Sequence, residues 1–285
     1  MKILTIIVSY NFMAWAQRCL DSLRASSVRS DVLVVDNGSG DGSVAFIREN
    51  YPEVRLVENP SNDGFGAANN IGLRIACEEG YDYVYLLNQD AWLEPDTLER
   101  LLAADDGKVG LLSPVQRSAS GDLDPNFRRK CGRYLENCHS EIVEVPFVMA
   151  AHWFLPRRAF TAVGGFSPVF RQYGEDDNYI DRLHYHGFRA VVVKSASAVH
   201  DRALRPEPRE KRLRLKCIAC IVRLSNPNKP FWLQLPLQSL MLVGMSIKNL
   251  SLVPLRFIPE FAKKSTSVRR CRKESMKPGA FCQLH

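Results

Sequence analysis

Short apolar runs alternate with helix-like stretches over the first part of the chain. The run from Ile3 to Val8 is continuous and rich in β-branched residues, which is typical of a strand buried on both faces. From Ala14 to Ala25 the apolar positions fall on one helical stripe. The same pattern predicts a strand at 32–35, a helix at 43–50, a strand at 54–57, a helix at 67–79 and a strand at 83–87. This alternation predicts an α/β fold with a mixed, mostly parallel sheet flanked by helices.

After Pro95 the pattern is less regular. It predicts strands at 109–112, 142–148 and 190–193 and helices at 157–163 and 176–186. The closely spaced prolines Pro206 and Pro208 block regular structure and mark a boundary. We therefore expect a main domain over 1–204 and a helical C-terminal region over 205–285.

The C-terminal region combines a basic helix-like stretch at 209–224 with an apolar one at 231–258. Prolines and polar residues interrupt the apolar stretch, whereas a spanning helix needs about 20 predominantly apolar residues. Two interpretations remain open. The region is either a helical subdomain packed on the sheet or a segment that lies in a membrane surface, helped by the basic residues after it.

Charge is distributed unevenly along the 285 residues. The chain has a net charge of +7, but residues 201–285 hold 18 Lys and Arg against 5 Asp and Glu. The first 200 residues are correspondingly acidic. A basic tail indicates contact with an anionic partner, such as an acidic lipid or a phosphorylated substrate.

The eight cysteines give little sign of a disulfide framework. Met1 and Lys2 run straight into the first strand, which predicts no secretory leader, a cytoplasmic location and reduced thiols. Cys217 and Cys220 have CxxC spacing, but no second pair or histidine accompanies them. We expect them to be structural rather than to bind zinc.

Polar clusters follow four of the predicted strands, where ligands bind in open α/β sheets. They are Tyr10-Asn11, 36–39, 59–66 and 88–90. The chain has neither a glycine-rich dinucleotide turn nor a Walker lysine, so side chains and a metal must hold a nucleotide. Asn88 and Asp90 offer oxygen ligands suited to Mg²⁺ or Mn²⁺, and His200 is a further candidate ligand.

An acidic cluster, Glu175, Asp176 and Asp177, follows Gly174 at the start of a predicted helix. Acidic residues in a first helical turn are also favoured by the helix dipole, without any function. Consecutive carboxylates nevertheless repel one another, which raises at least one pKa and suits that group to accept a proton from a sugar hydroxyl.

Together these motifs resemble family-2 glycosyltransferases with the glycosyltransferase-A fold, and particularly their rhamnosyltransferase-like branch. The similarity runs from Ile3 to about His200, some two-thirds of the chain. It rests on the segments 6–11, 34–39, 64–72, 87–90, 163–166 and 173–176, followed by Arg182, Gly187 and His200.

The resemblance implies a role for each matching position. Asp176 would be the catalytic base, and Asp90 and His200 would hold the metal. The residues expected to bind substrate are Val8, Tyr10 and Asp36 at the nucleobase, Asn62, Gly64 and Asn70 along the ribose and sugar, Asn88 beside the metal, and Glu175 and Arg182 at the acceptor side. Arg182 is also suited to orienting the acidic helix.

The chain departs from the family pattern at two places. Asn88 replaces the first aspartate of the usual Asp-x-Asp motif, and Asp177-Asn178 replaces an apolar residue and an aspartate. The expected activity is inverting transfer from a UDP- or dTDP-linked sugar, with Mg²⁺ or Mn²⁺, to a glycan on a membrane lipid carrier in bacterial surface polysaccharide synthesis. The alternative is a non-catalytic nucleotide-sugar-binding or scaffolding protein. Nucleic-acid binding is not expected, since the tail lacks a recognisable module.

Overall fold

The computed structural model describes residues 1–201 and 208–282, which form one mixed sheet, its flanking helices and a bundle of three C-terminal helices. The strands are β1 (Ile3–Ser9), β2 (Asp31–Asp36), β3 (Arg55–Glu58), β4 (Tyr83–Asn88), β5 (Ala91–Leu93), β6 (Val109–Arg117), β7 (Ile142–Glu144), β8 (His152–Pro156) and β9 (Arg189–His200). The helices are α1 (Ala16–Arg24), α2 (Ser43–Asn50), α3 (Phe65–Glu78), α4 (Thr97–Ala103), α5 (Pro125–Glu136), α6 (Arg157–Val163), α7 (Glu175–Tyr185), α8 (Arg209–Ser225), α9 (Phe231–Asn249) and α10 (Val253–Ser275).

The sheet has the strand order β3-β2-β1-β4-β8-β6-β9-β5, with β7 added beside β9. The first four strands in this order are parallel to one another. Strand β8 is antiparallel to both β4 and β6, while β6 and β9 are again parallel. The predicted mixed sheet is confirmed, and its parallel character is concentrated in the half nearest the N-terminus.

Two apolar layers cover the sheet. One includes Trp153, Phe166 and Tyr179 together with the buried faces of α3, α6 and α7. The other lies on the opposite face, under α1 and α4. The strands are therefore buried on both faces, which explains their continuous apolar runs.

A third apolar cluster joins α8, α9 and α10 to each other and to Phe170. The apolar stretch 231–258 was predicted as one segment, but the chain ends α9 at Asn249 and begins α10 at Val253. Leu250 takes the left-handed conformation at this break, with φ +46°. The expected boundary at 204/205 lies outside the described residues.

Cys217 and Cys220 are buried in this third cluster, and all eight cysteines are free. In the described part of the chain, no group of three His, Cys, Asp or Glu side chains is arranged to hold a metal ion. No helix among residues 1–201 and 208–282 is long and apolar enough to cross a membrane.

Candidate active site

Two adjoining cavities open at the carboxyl ends of β1 and β4. The first, of about 780 Å³, is lined by the ends of these strands, the loop before α3, and α8 and α10. The second, of about 1270 Å³, is lined by α5, the start of α7 and α8. Phe65, Asn88, Gln172, Tyr173 and Lys211 line both cavities. The first cavity is of the size that a small-molecule ligand occupies. After the ligands that the sequence resemblance predicts for their lining residues, we call the first the donor cavity and the second the acceptor cavity.

Gln89 ties the ends of β1 and β4 together at the donor cavity. Its Oε1 accepts from the Tyr10 backbone N–H at 2.7 Å, and its Nε2 donates to the Tyr10 carbonyl at 3.1 Å. Tyr10 is 47% exposed at the cavity, and Val8 lines the same wall. The structure therefore places Val8 and Tyr10, the residues predicted to contact a nucleobase, on one wall of the donor cavity.

Asp36 is placed differently from its predicted neighbours. It is 2% exposed and does not line either cavity. Its Oδ1 accepts from the hydroxyls of Ser9 at 2.8 Å and Ser39 at 2.5 Å, and its Oδ2 accepts from the N–H groups of Gly38 and Ser39. A carboxylate has about four acceptor sites, so direct base recognition by Asp36 would require the exchange of one of these bonds. In this conformation Asp36 holds the turn after β2.

The loop before α3 supplies another wall of the donor cavity. Gly64 has φ +92°, and a side chain there would overlap the carbonyl of Arg171. Asn62 Oδ1 accepts from the Gly64 N–H at 3.0 Å, which fixes the loop. Asn62 and Gly64, both predicted to bind substrate, line the donor cavity. Asn70 does not, because its amide clamps the backbone N–H and carbonyl of Phe166 at 2.6 and 2.9 Å.

The predicted metal ligands meet where the two cavities join. Antiparallel pairing of β5 with β9 sets Ala91 opposite His200, which brings His200 beside Asp90 although 110 residues separate them. His200 Nε2 lies 3.3 Å from Asp90 Oδ1 and 3.5 Å from Asn88 Nδ2. Asp90 lines the donor cavity, His200 lines the acceptor cavity, and Asn88 lines both.

This pair has donor atoms and spacing that fit a divalent cation. Adjacent ligands of an octahedral ion at about 2.1 Å are about 3 Å apart, close to the separation of Asp90 Oδ1 and His200 Nε2. One feature differs from a typical metal-bound histidine. Such a histidine usually donates a hydrogen bond from its second nitrogen, but the Nδ1 atom of His200 is buried without a partner. Two strong ligands leave the remaining positions of an ion for a diphosphate and water.

The acidic cluster occupies the floor of the acceptor cavity. Gly174, with φ +92°, precedes α7, and a Cβ at this position would lie only 2.8 Å from Val222 and 3.0 Å from Phe170. The start of α7 therefore packs closely against α8. Glu175, Asp176 and Asp177 all line the cavity. The predicted base and the predicted acceptor-binding residue are therefore together in one cavity.

Burial changes the acidity of this cluster. Burial, followed by the negative charges of Asp177 and Glu175, raises the pKa of Asp176 to about 7. Burial, followed by the charge of Asp177, also raises the pKa of Glu175, whose Oε2 has no hydrogen-bond partner. A carboxylate that titrates near neutral pH is suited to general-base catalysis.

Sequence reasoning missed several groups in the acceptor cavity. Asp181 lies one helical turn after Asp177, and burial together with the charge of Asp177 raises its pKa to about 7. The i, i+4 spacing was a signal for this shared face. Facing the acids are five cations from α5, α8 and the loop after α8: Arg129, Lys130, Lys211, Arg223 and Lys229. The cavity therefore combines proton-accepting groups with a cationic wall.

Arg182 is not a substrate contact in this structure. It is 0% exposed, lines neither cavity, and donates to the carbonyls of Val163 and Gly165. Its guanidinium also lies 4.8 Å from the ring centre of Phe281. The substrate-binding assignment is corrected for this reason, and the alternative role of orienting α7 fits its position.

Comparison with known proteins identifies the domain. The family model for glycosyl transferase family 2 matches residues 5–164. An N-acetylglucosaminyl-diphospho-decaprenol L-rhamnosyltransferase of Mycobacterium tuberculosis is 29% identical over 70% of this chain and 75% of its own. This similarity confirms the rhamnosyltransferase-like resemblance of the sequence.

Solved glycosyltransferase structures share the fold. The mannosyltransferase PcManGT from Pyrobaculum calidifontis, in complex with GDP-Man and Mn²⁺, has a TM-score of 0.59 at 20% identity, covering 99% of this chain and 84% of its own. S. aureus TarS has a TM-score of 0.60 at 15% identity over 82% of this chain, which spans only 41% of TarS. The fold is thus that of the glycosyltransferase-A enzymes, and the chain belongs to glycosyl transferase family 2.

Proposed function

We propose that the chain transfers a sugar, with inversion, from a nucleoside-diphosphate sugar to a hydroxyl of a glycan carried on a membrane lipid. The observation that carries this proposal is the position of Asn88, Asp90 and His200 between a nucleotide-sized cavity and a cavity with a raised-pKa carboxylate. A leaving diphosphate and an attacking hydroxyl would meet at this junction.

The proposed reaction is a single displacement at the anomeric carbon. Asp176 accepts the proton of the acceptor hydroxyl as its oxygen forms a bond to C1 of the donor sugar. The bond from C1 to the diphosphate oxygen breaks at the same time, and the nucleoside diphosphate departs with the electron pair. Attack on the face opposite the leaving group inverts the configuration. Holding both substrates side by side supplies much of the remaining acceleration.

Asp90 and His200 would hold Mg²⁺ or Mn²⁺, with Asn88 as a neutral neighbour. When bound, the cation stabilises the negative charge that develops on the departing diphosphate. The donor is proposed to be UDP- or dTDP-linked and to lie against Val8, Tyr10, Asn62 and Gly64. Glu175 is proposed to bind an acceptor hydroxyl, since it lines the acceptor cavity and its Oε2 has no hydrogen-bond partner.

The acceptor assignment takes its support from the relative and from the cavity. The rhamnosyltransferase of M. tuberculosis is named for a diphospho-decaprenol acceptor. The cationic wall formed by Arg129, Lys130, Arg223 and Lys229 suits an anionic diphosphate group. The enzyme would then act in bacterial surface polysaccharide synthesis at the cytoplasmic side of the membrane.

Two carboxylates with similar acidity provide a matched test of the base. Asp176→Asn should reduce turnover by roughly 10²–10⁴-fold, the usual contribution of general-base catalysis. Asp181→Asn should change turnover much less, since Asp181 lies a further turn along α7. The measurement is transfer of labelled sugar from a panel of UDP- and dTDP-sugars to lipid-linked acceptors, with nucleotide binding measured in both variants.

Turnover that survives in Asp176→Asn would contradict the assignment of the base. If neither variant nor the wild type transfers sugar to any acceptor or hydrolyses any donor in the presence of Mg²⁺ or Mn²⁺, the catalytic proposal fails as a whole.

A further inference from the structure

The outer side of α9 is an apolar surface without a partner in the structure. Its exposed side chains continue past the break into α10, and we call the set the apolar face: Trp232, Leu233, Leu237, Leu240, Val243, Ile247, Leu250, Leu252 and Leu255. Leu240 is 69% exposed, Ile247 71% and Leu250 92%. Within α9, the positions 233, 237, 240, 244 and 247 recur with helical spacing and therefore share one side of the helix.

The opposite side of α9 is already used for packing. Phe231 and Leu242 are buried in the cluster shared with α8 and α10, and Gln238 and Ser246 are buried beside them. The apolar face is therefore not needed for the core of the bundle. A contiguous exposed apolar surface of this kind marks a site of interaction with a protein or a membrane.

Cations surround the apolar face. Lys248 and Arg256 are exposed within it, Arg209 donates to the backbone carbonyl of Asn249, and the Arg269 guanidinium lies 4.6 Å from the centre of the Trp232 ring. The 49 residues from Lys211 to Pro259 contain eight Lys or Arg and no Asp or Glu. Of the acidic side chains in 208–282, Glu260 pairs with Arg214 and Lys264, and Glu274 pairs with Lys277.

We propose that the apolar face and its surrounding cations dock α9 in the plane of an anionic lipid surface. Such in-plane binding combines buried apolar side chains with the attraction of Lys and Arg to acidic headgroups. Pairing with a second copy through the same face would bring Lys248 and Arg256 of both copies together. The charge pattern therefore favours lipid over self-association.

This membrane-docking proposal rests on the proposed function, because it concerns how the enzyme would reach a lipid-linked acceptor. The inner face of α8 lines both cavities through Lys211, Leu215 and Ile218, and α9 packs against α8 and α10. The bundle that walls the cavities would thus be the part of the molecule that rests on the membrane. A lipid-linked acceptor would meet the enzyme from that side.

The test measures binding of the full chain to vesicles without donor or acceptor, so that its result does not depend on catalysis. The probes are vesicles of phosphatidylcholine alone and of phosphatidylcholine mixed with phosphatidylglycerol. Leu240→Glu combined with Ile247→Glu should weaken binding to the mixed vesicles at least tenfold. Both side chains are exposed, so thermal unfolding and nucleotide binding should remain as in the wild type.

A control variant introduces the same charge elsewhere. Tyr185→Glu with Met276→Glu replaces two exposed apolar side chains, one at the end of α7 and one just after α10. Met276 lies about 30 Å along α10 from Leu255. It should bind vesicles as the wild type does. Lys248→Glu with Arg256→Glu should remove the preference for phosphatidylglycerol and the dependence of binding on salt.

Three results would overturn the proposal. They are wild-type protein that does not bind the mixed vesicles, equal binding by the wild type and Leu240→Glu/Ile247→Glu, and loss of binding in the control variant as well. A dimer in sedimentation analysis that the same double variant converts to a monomer, without vesicle binding, would assign the apolar face to a second copy instead. Vesicle binding without sugar transfer would leave this proposal standing while the proposed function fails.

Discussion

The α/β part of the molecule and its helical bundle use opposite chemistry at their surfaces. Residues 1–200 carry an excess of acidic groups, and their specialised residues lie at strand ends that face the cavities. Residues 208–282 contain 16 Lys or Arg against 3 Glu and expose an apolar face. The two parts meet at α8, which contributes to both cavities. Under the two proposals above, the α/β part carries out the chemistry and the bundle sets where the enzyme works.

Loss of a metal ligand should greatly reduce turnover, and its effect should be confined to the α/β part. Asp90→Ala removes the carboxylate that, with His200, fits a divalent cation. We expect turnover to fall by roughly 10²–10³-fold, because a bound metal stabilises the charge of the transition state by several kcal/mol. The measurement is sugar transfer as a function of Mn²⁺ and Mg²⁺ concentration, with chelated wild-type enzyme as the reference.

Vesicle binding by Asp90→Ala should equal that of the wild type. Full activity of the wild-type enzyme in the presence of a chelator, or of Asp90→Ala in the presence of metal, would show that Asp90 and His200 do not hold a catalytic metal.

A second test concerns the buried cation that supports α7. Arg182→Ala leaves the carbonyls of Val163 and Gly165 without their donor and opens a cavity beneath Tyr179. We expect the free energy of unfolding to fall by about 3–5 kcal/mol, the range for disrupting a buried charged group. Denaturant unfolding measures the change.

Arg189 provides a comparison because its side chain is about 40% exposed and makes only surface ion pairs. Arg189→Ala should change stability by less than about 1 kcal/mol. Equal effects of the two substitutions would contradict the structural role of Arg182.

A smaller effect is expected from neutralising the proposed base. The pKa of Asp176 is raised on folding, so the native state binds a proton more tightly than the unfolded chain. The stability that this tighter proton binding gives the native state is fully present below the pKa of the unfolded chain, about 4, and is lost as the pH rises through about 7. Asp176→Asn should therefore stabilise the protein above pH 7, by on the order of 2 kcal/mol, although it slows transfer.

Denaturant unfolding of Asp176→Asn and the wild type at acidic and alkaline pH measures this gain. A variant that is less stable than the wild type at alkaline pH would show that the ionised Asp176 carboxylate does not destabilise the native state.

The sequence was most informative where local signals were strong. The bounds of β1, β2, β4 and α2 were predicted closely because turn-forming residues stand at the ends of their apolar runs. Helix α5 was missed although Asp124 and Pro125 form a recognisable start, with the Asp124 carboxylate accepting two backbone N–H bonds at 2.8 Å. Strand β5 was missed because three residues are too few to show a period.

The site shows the same division. Asp90, Asp176 and His200 were predicted from motifs, but the approach of His200 to Asp90 depends on the pairing of β5 with β9. Local sequence could not distinguish Asp36, which holds its own turn, from a residue that faces ligand. The cationic wall of the acceptor cavity comes from separate segments, so only the folded chain reveals it.

The pH dependence of turnover tests the central claim, that Asp176 is the base, most directly. Because the deprotonated carboxylate must accept the proton, turnover at saturating substrate should rise as the pH increases through about 7. Since Glu175, Asp177 and Asp181 are close by, the midpoint belongs to the coupled group. Asp181→Asn should keep the rising limb. A wild-type profile that stays flat through this range, or that falls as the pH rises, would contradict the account.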